Sequence, residues 1–426
     1  MALTRREFMK LSAAGAALAA VAPARAAGAK AGGRLVVIGG GFGGATAAKY
    51  VRMWSEGGIA VTLIERNPVF VSCPISNLVL SGDKTLADIT AGYEGLARHG
   101  IRVIRDEAVA VDHDKRSVRL AGGDSVGYDR LVVSPGIEFL WDTVPGLTPQ
   151  LAETRILHAW KAGPQTLALR QQLADMKDGG VFALCIPRAP YRCSPGPYER
   201  ASMVASYLKR FKPKSKVLIL DANDEVQSKK ALFMAAWQEL YPSIVEYRSN
   251  QAIASVDPAS RSVKFVFSAE SATADVLNVV PGQAAGAIAR QAGLVTTNSR
   301  WCDIDWRTME SRTQPGIHVL GDSTLAAPAM PKSGHITTQH AKVAAAAIVS
   351  LMAGEAPLAP PLISNTCYSF VDHDSAIHVA SVHAYDEKEK TYKIVTGTYG
   401  VSVARNEAEA VYAAAWGRNI LADALG

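Results

Sequence analysis

The sequence predicts an α/β protein with two Rossmann-like dinucleotide-binding units and a smaller C-terminal α+β interface domain. Three observations carry that expectation. A glycine fingerprint lies between a short apolar strand and an Ala-rich helix near residue 40. A second strand–turn–helix–strand unit begins at Val181. A proline-rich linker over residues 356–361 sets off a final segment that mixes strand and helix patterns.

Composition bounds the rest. The chain has 426 residues, 48% of them hydrophobic and 20% charged, enough for two or three packed domains. Residues 4–10, Thr-Arg-Arg-Glu-Phe-Met-Lys, read as a twin-arginine signal. An Ala-rich stretch to residue 22 and Ala24-Arg25-Ala26 follow, which predicts cleavage after Ala26 and a periplasmic destination. The stretch is too short and too rich in Ala and Gly for a membrane span, and no other segment is apolar enough for one. Arg5, Arg6, Lys10 and Arg25 against Glu7 account for half of the formal charge of +6. What remains does not suggest nucleic acid as a partner, and no basic run is interleaved with aromatics.

The first unit reads as a strand over residues 34–38, a turn, a helix over 45–54 and a strand ending at Glu65. Gly39, Gly41 and Gly44 have the G-x-G-x-x-G spacing. They permit a tight turn and bring the backbone close to a pyrophosphate, which the helix N-terminus then faces. Glu65 lies 21 residues beyond Gly44 and suits a ribose 2′-OH; an acid there argues against a 2′-phosphate. Phe42, Arg66 and Val109, the last within a small β segment at 102–120, complete the expected contacts on this side.

FAD is favoured over NAD by residues 313–322, Thr-Gln-Pro-Gly-Ile-His-Val-Leu-Gly-Asp. They resemble the second FAD motif of two-dinucleotide-domain flavoproteins. By that resemblance Gly321 and Asp322 hold the ribityl chain, and Ser134-Pro135-Gly136 is a variant of the same superfamily's Ala-Thr-Gly turn. Lys332 and Gly334 precede a helix read as starting near 337, whose N-terminus would stabilise a reduced, anionic flavin. The second unit lacks a matching fingerprint. After the strand Val181–Ile186 come residues 187–198, with four prolines and one glycine. Proline removes N–H donors, so NAD(P)H is not expected as electron source.

Five cysteines remain, with no C-x-x-C pair, no zinc spacing and an odd count. Cys193 stands in the altered loop, Cys367 at the start of the C-terminal segment, and Cys73 just after the first unit. Spacing alone leaves Cys193 and Cys367 open between an inert pair and a redox-active one; the position of Cys193 favours redox work. Cys73 reads either as a buried thiol or as a tether to flavin. Glu199, six residues after Cys193, reads either as a solvated helix-start acid or as a proton carrier. Cys185 reads as core, and Cys302 carries no clear role.

With these residues together, the whole mature chain resembles the flavoprotein subunit of flavocytochrome c sulfide dehydrogenase. The residues that carry the resemblance are Cys73-Pro74, Cys193-Ser194-Pro195-Gly196, Trp301-Cys302, Pro331-Lys332-Ser333-Gly334 and Asn365-Thr366-Cys367-Tyr368. It implies covalent 8α-S-cysteinyl FAD at Cys73, a catalytic disulfide between Cys193 and Cys367, and Glu199 as acid/base. It also implies a heterodimer with a c-type cytochrome that accepts electrons from sulfide. The chain has no C-x-x-C-H, so haem c would sit only on that partner. The alternative is sulfide:quinone oxidoreductase at a membrane surface, which needs an amphipathic docking C-terminus. Residues 408–425 read instead as an Ala-rich packing helix.

The expected organisation is a signal peptide over 1–26, an FAD-binding domain over 30–150 and again over 275–355, a degenerate NAD-like domain over 151–274, and the C-terminal interface domain over 356–426. The arrangement is glutathione-reductase-like.

Overall fold

Near-continuous runs of Val, Ile and Leu build the first sheet, because parallel strands covered on both faces have no polar side to present. The computed structural model describes residues 31–359 and 362–426; residues 1–30, which include the expected signal peptide, and Pro360-Pro361 lie outside them. Seven strands pair in the order Ile304–Asp305, Glu310–Ser311, Ile317–Val319, Arg130–Val133, Gly33–Ile38, Ile59–Ile64, Arg102–Ile104. The last five are parallel, and the first two pair antiparallel at the edge. The chain leaves this sheet after Arg130–Val133 and returns to it at residue 304, as expected of a domain built from two stretches.

Two helices, Phe42–Trp54 and Gly334–Met352, pack together on this sheet. Ala45, Ala47 and Ala48 on one and Ala341, Ala344 and Ala345 on the other are fully buried, and such small side chains let the helices approach closely. Both helices begin three residues before the sequence-based reading. Gly43 and Gly44 extend the first, and the Ser333 hydroxyl caps the second by accepting from Ile336 N at 3.1 Å. Two fingerprint glycines are required by space. A Cβ on Gly44 would lie 1.8 Å from the Gly39 carbonyl oxygen, and Gly39 itself has φ +94° with its virtual Cβ 2.4 Å from the Ser134 oxygen.

The second sheet has four parallel strands in the order Val245–Arg248, Lys216–Asp221, Val181–Ile186, Val276–Val279. Because Val276–Val279 pairs with Phe182–Cys185, this unit runs past the boundary expected at residue 274. The two crossings between units lie side by side as the antiparallel pair Ile137–Leu140 and Gly282–Ala285. The strand Ser262–Phe265 stops where its ladder to Ile253 ends, leaving Val266 and Phe267 exposed.

The C-terminal segment is an antiparallel sheet of Ile363–Phe370, Ala376–Asp386, Thr391–Ile394 and Gly400–Val401. It is closed by the helix Glu407–Leu425, whose N-cap Asn406 accepts from Glu409 N. That helix packs on the first unit, where the Asp423 carboxylate accepts from the Tyr50 hydroxyl at 2.6 Å and pairs with the Lys342 ammonium at 2.8 Å. Among the described residues no helix is long and apolar enough to cross a membrane.

The Gly39–Gly44 contact yields a first prediction. Gly44→Ala forces backbone apart at the turn and should cost about 1–3 kcal/mol of stability, as overpacking does. Urea unfolding checks it, and an unchanged midpoint would contradict the packing described.

Candidate active site

Three separate stretches of chain meet at the cysteines. Cys73 follows the short strand Phe70–Val71, and its Sγ accepts a hydrogen bond from the Arg192 guanidinium at 3.0 Å. Cys193 sits in the proline-rich loop with φ +60°, a left-handed conformation that turns the loop back on itself. Its N–H donates to the Lys332 carbonyl at 2.7 Å, and its own carbonyl accepts from Gly196 N at 2.8 Å. The loop that would cradle a nicotinamide dinucleotide is thereby bent onto the first unit. Cys367 lies on the strand Ile363–Phe370, opposite Val379, and its carbonyl accepts from the Lys229 ammonium at 3.1 Å.

Glu199, on the first turn of the helix Gly196–Phe211, joins these stretches. One carboxylate oxygen accepts from Asn77 Nδ2 at 2.7 Å, and the other accepts from Phe370 N at 2.9 Å. Asn77 follows Cys73 by four residues, and Phe370 follows Cys367 by three. Burial pushes Glu199 above the usual carboxylate range, and the two donors oppose that shift.

The same low-dielectric setting governs the thiols. Burial pushes Cys193 well up; Cys367 and Glu199 add to the shift, and Arg192 opposes it. Burial also raises Cys367, opposed by Lys229. All five cysteines are free thiols in this structure, where the resemblance implied a Cys193–Cys367 disulfide. Burial keeps both thiols neutral, which suits the reduced pair. Cys185 and Cys302 are fully buried core groups, each pushed up to about 12 by desolvation.

Buried positive charge surrounds the cysteines. Arg200 donates to the His158 and Ala159 carbonyls at 2.8 and 2.6 Å and to Asn278 Oδ1 at 2.9 Å; burial lowers it to about 10. Lys229 also donates to the Ser369 hydroxyl at 2.9 Å. Lys332 points inward: its ammonium donates to the Asp322 carbonyl at 3.0 Å and to that of Thr324, lies 3.8 Å from the Trp301 ring centre, and is lowered by burial to about 8. It therefore fixes the loop that carries Asp322. Arg192, Arg200, Lys229 and Asn77 were not singled out by sequence reasoning. Arg192 had one signal, its place beside Cys193.

The residues expected to hold the cofactor fit FAD. The fingerprint helix has no side-chain cap, so its first N–H groups are free for a pyrophosphate. Gly41 faces only the edge of Phe70, at 3.5 Å from a virtual Cβ. Glu65 lies at the turn, its carboxylate accepting from Gly40 N and from Asn67 at 2.6–2.7 Å. Asp322 Oδ1 is buried with no protein partner, as a group awaiting a ribityl hydroxyl would be. Ser134 N and the Ser323 hydroxyl, which donates to the Gly136 carbonyl at 2.6 Å, tie the two turns together. Phe42 packs edge-to-face on Phe70, and Gly334 abuts the Phe42 ring, 3.0 Å from a virtual Cβ. Arg66 is paired with Glu107 at the surface, and Val109 lies at a β-bulge in an antiparallel strand.

In the second unit Asp221 ends its strand as Glu65 does in the first, yet its carboxylate is filled from within. It accepts from the Tyr198 and Tyr247 hydroxyls at 2.7 and 3.1 Å and from Asn223 N and Nδ2 at 3.0 and 2.7 Å.

Comparison with known proteins agrees with this geometry. Residues 166–281 match the model for the central part of the sulfide dehydrogenase (flavocytochrome c) flavoprotein chain. Residues 359–425 match the flavin-binding model of flavocytochrome c sulphide dehydrogenase, and 33–172 match the pyridine nucleotide-disulphide oxidoreductase model. The flavoprotein chain from Chlorobaculum thiosulfatiphilum is 56% identical over 46 residues, 94% of that sequence and 11% of this chain. A mitochondrial sulfide:quinone oxidoreductase from Dictyostelium discoideum is 22% identical over 322 residues, 72% of this chain and 68% of that protein. Among solved structures, the Aquifex aeolicus sulfide:quinone oxidoreductase superposes with a TM-score of 0.74 at 20% identity, covering 92% of this chain and 91% of that one. The putidaredoxin reductase–putidaredoxin complex matches at 0.67 and 17%, covering 92% and 93%.

The Glu199 network yields a second prediction. Glu199→Gln sets an amide donor against Asn77 Nδ2 or Phe370 N and should cost about 1–3 kcal/mol at pH 5. A raised folded-state pKa means that the wild-type carboxyl's contribution is fully present below the unfolded value and lost as pH rises through the folded one. The gap between wild type and Glu199→Gln should therefore narrow from pH 5 to pH 8 in thermal melts. A gap that widens would mean a depressed pKa.

Proposed function

The chain belongs to the family of sulfide dehydrogenase (flavocytochrome c) flavoprotein chains, and on that premise we propose that it oxidises sulfide at Cys193 and Cys367 and passes the electrons through FAD to a separate c-type cytochrome. Membership makes it a sulfide-oxidising flavoprotein oxidoreductase. The observation that carries the finer reading is the meeting of Cys193, Cys367 and Glu199 under buried cations, beside the loop that bears Asp322.

Each residue has a task in this reading. Arg192, Arg200, Lys229 and Lys332 draw the hydrosulfide anion into a site of low dielectric. In the oxidised enzyme Cys193 and Cys367 are joined. Hydrosulfide attacks one sulfur, leaving a persulfide there and a thiolate on the other. Lys229 and Arg192 steady the thiolates. A second hydrosulfide removes the sulfane sulfur as a disulfane anion and leaves the dithiol. Glu199 moves the protons. Gly39, Gly41, Gly44, Glu65, Ser134, Gly136, Gly321 and Asp322 would hold FAD and Cys73 would tether it; the bound flavin would supply an acceptor for the dithiol's electron pair that can pass it on as single electrons.

NAD(P)H has no part in this scheme. The internally filled Asp221 and the proline-rich loop support that, since neither a ribose acceptor nor a fingerprint is left. Haem c belongs to the partner subunit, because the chain has no C-x-x-C-H. The twin-arginine leader supports a periplasmic location, where sulfide and cytochrome c meet.

A quinone acceptor is the second reading, favoured by the Dictyostelium relative. Against it, the helix Glu407–Leu425 turns Ala413, Gly417 and Ile420 inward, and its large exposed apolar side chains are Val411 and Tyr412. That is too little for a membrane-docking face.

Anaerobic sulfide addition is the test. Wild type should show bleaching of the flavin absorbance, and Cys193→Ser and Cys367→Ser should lose it. Turnover should be supported by cytochrome c and not by a soluble quinone. Bleaching that survives in both variants would refute the cysteine mechanism, and quinone-supported turnover would refute the cytochrome.

A further inference from the structure

Arg192 is the residue whose placement the sulfide chemistry does not fully explain. It stands beside Cys193, yet its guanidinium donates to the Sγ of Cys73, 119 positions distant in sequence, at 3.0 Å. The same nitrogen donates to the Trp160 carbonyl, and the backbone N–H donates to Gln283 Oε1 at 3.0 Å. No carboxylate forms an ion pair with Arg192 among the described residues.

The carbonyl that aims Arg192 is itself held rigidly. Ala159 has φ +44°, so the chain turns sharply just before Trp160. Arg200 binds the His158 and Ala159 carbonyls, Asn278 Nδ2 donates to the His158 carbonyl at 3.1 Å, and Trp160 N donates to His158 Nδ1 at 2.9 Å. A buried cation without a carboxylate is costly unless its site supplies negative charge. Here the only partner able to become an anion within hydrogen-bond reach is the Cys73 sulfur.

We propose that Arg192 activates Cys73 for its bonding to the flavin: it is the catalytic residue of cofactor attachment, held in aim by the Trp160 carbonyl. This rests on the reading of Cys73 as the tether. The guanidinium sets positive charge at hydrogen-bond distance from the sulfur, and the thiolate is the nucleophilic form of a cysteine. In the step, the Cys73 thiolate forms a bond to the flavin C8α. The C8α methyl gives up one C–H bond, and its proton goes to solvent. The electron pair freed by this oxidation of the methyl carbon remains on the flavin ring. It leaves as single electrons to the same haem acceptor that serves turnover, or to dioxygen.

The test uses the full chain as expressed and two readouts: FAD occupancy of the native protein by absorbance, and the fraction of flavin that stays with the polypeptide after acid denaturation, assigned by peptide mass. Loss of a charge-assisted hydrogen bond should slow attachment by about ten- to a hundredfold in Arg192→Gln. That variant should bind FAD yet release most of it in acid, whereas Arg192→Lys, which keeps the charge, should retain more. Wild-type attachment in Arg192→Gln overturns the proposal, as does attachment in Arg192→Lys no better than in Arg192→Gln. Cys73→Ser separates the two readings. If it too keeps acid-stable flavin, the tether lies elsewhere and the reading of Cys73 fails. If it releases its flavin while Arg192→Gln does not, the tether stands and only the role of Arg192 falls.

Discussion

The carboxylate of Glu199 is the joint on which the site depends. Its two oxygens are spent on two different parts of the chain, one carrying Cys73 and the other carrying Cys367, while its own helix carries Cys193 at its approach. Each hydrogen bond is modest in isolation, but a buried acceptor that loses its donor costs more than the bond was worth. The three cysteines therefore share one geometry, and none can shift without disturbing a bond to the same side chain.

Around that joint the charge balance is uneven. Arg200, Lys229 and Lys332 are buried, and their ammonium and guanidinium groups are met by carbonyls, a hydroxyl, amide oxygens and an indole face in place of carboxylates. Carbonyl dipoles position a cation without cancelling its charge. The excess is left for an anion that enters the site. A fold that keeps buried cations unpaired accepts a cost in stability in return for affinity towards anions.

Much of this was legible in the sequence, for physical reasons. A parallel strand followed by a glycine turn and an Ala-rich helix has few alternatives, and residues 34–44 specified the first unit almost alone. The strand Val181–Ile186 was read to the residue, since a short apolar run bounded by polar or glycine residues can do little else. Helix starts were read late where glycine and serine begin the helix, because those residues carry weak propensity and act as caps. The loop after Val181–Ile186 was read as unfit for a nicotinamide from its prolines alone; the filling of Asp221 by Tyr198 and Tyr247 left no signal, since contacts between distant segments leave no local pattern. For the same reason Asn77, Arg200 and Lys229 were passed over. Their importance lies wholly in what the tertiary fold brings to them.

The strand Ile363–Phe370 bears on the order in which the protein is made. It supplies Cys367 and, through Phe370, one of the two donors to Glu199, and it is synthesised after both dinucleotide units. A chain cut short before residue 363 would lack Cys367, the Phe370 donor to Glu199 and most of the stretch that matches the flavin-binding model. The bonding of Glu199 is therefore complete only once this strand has docked on the two units that precede it.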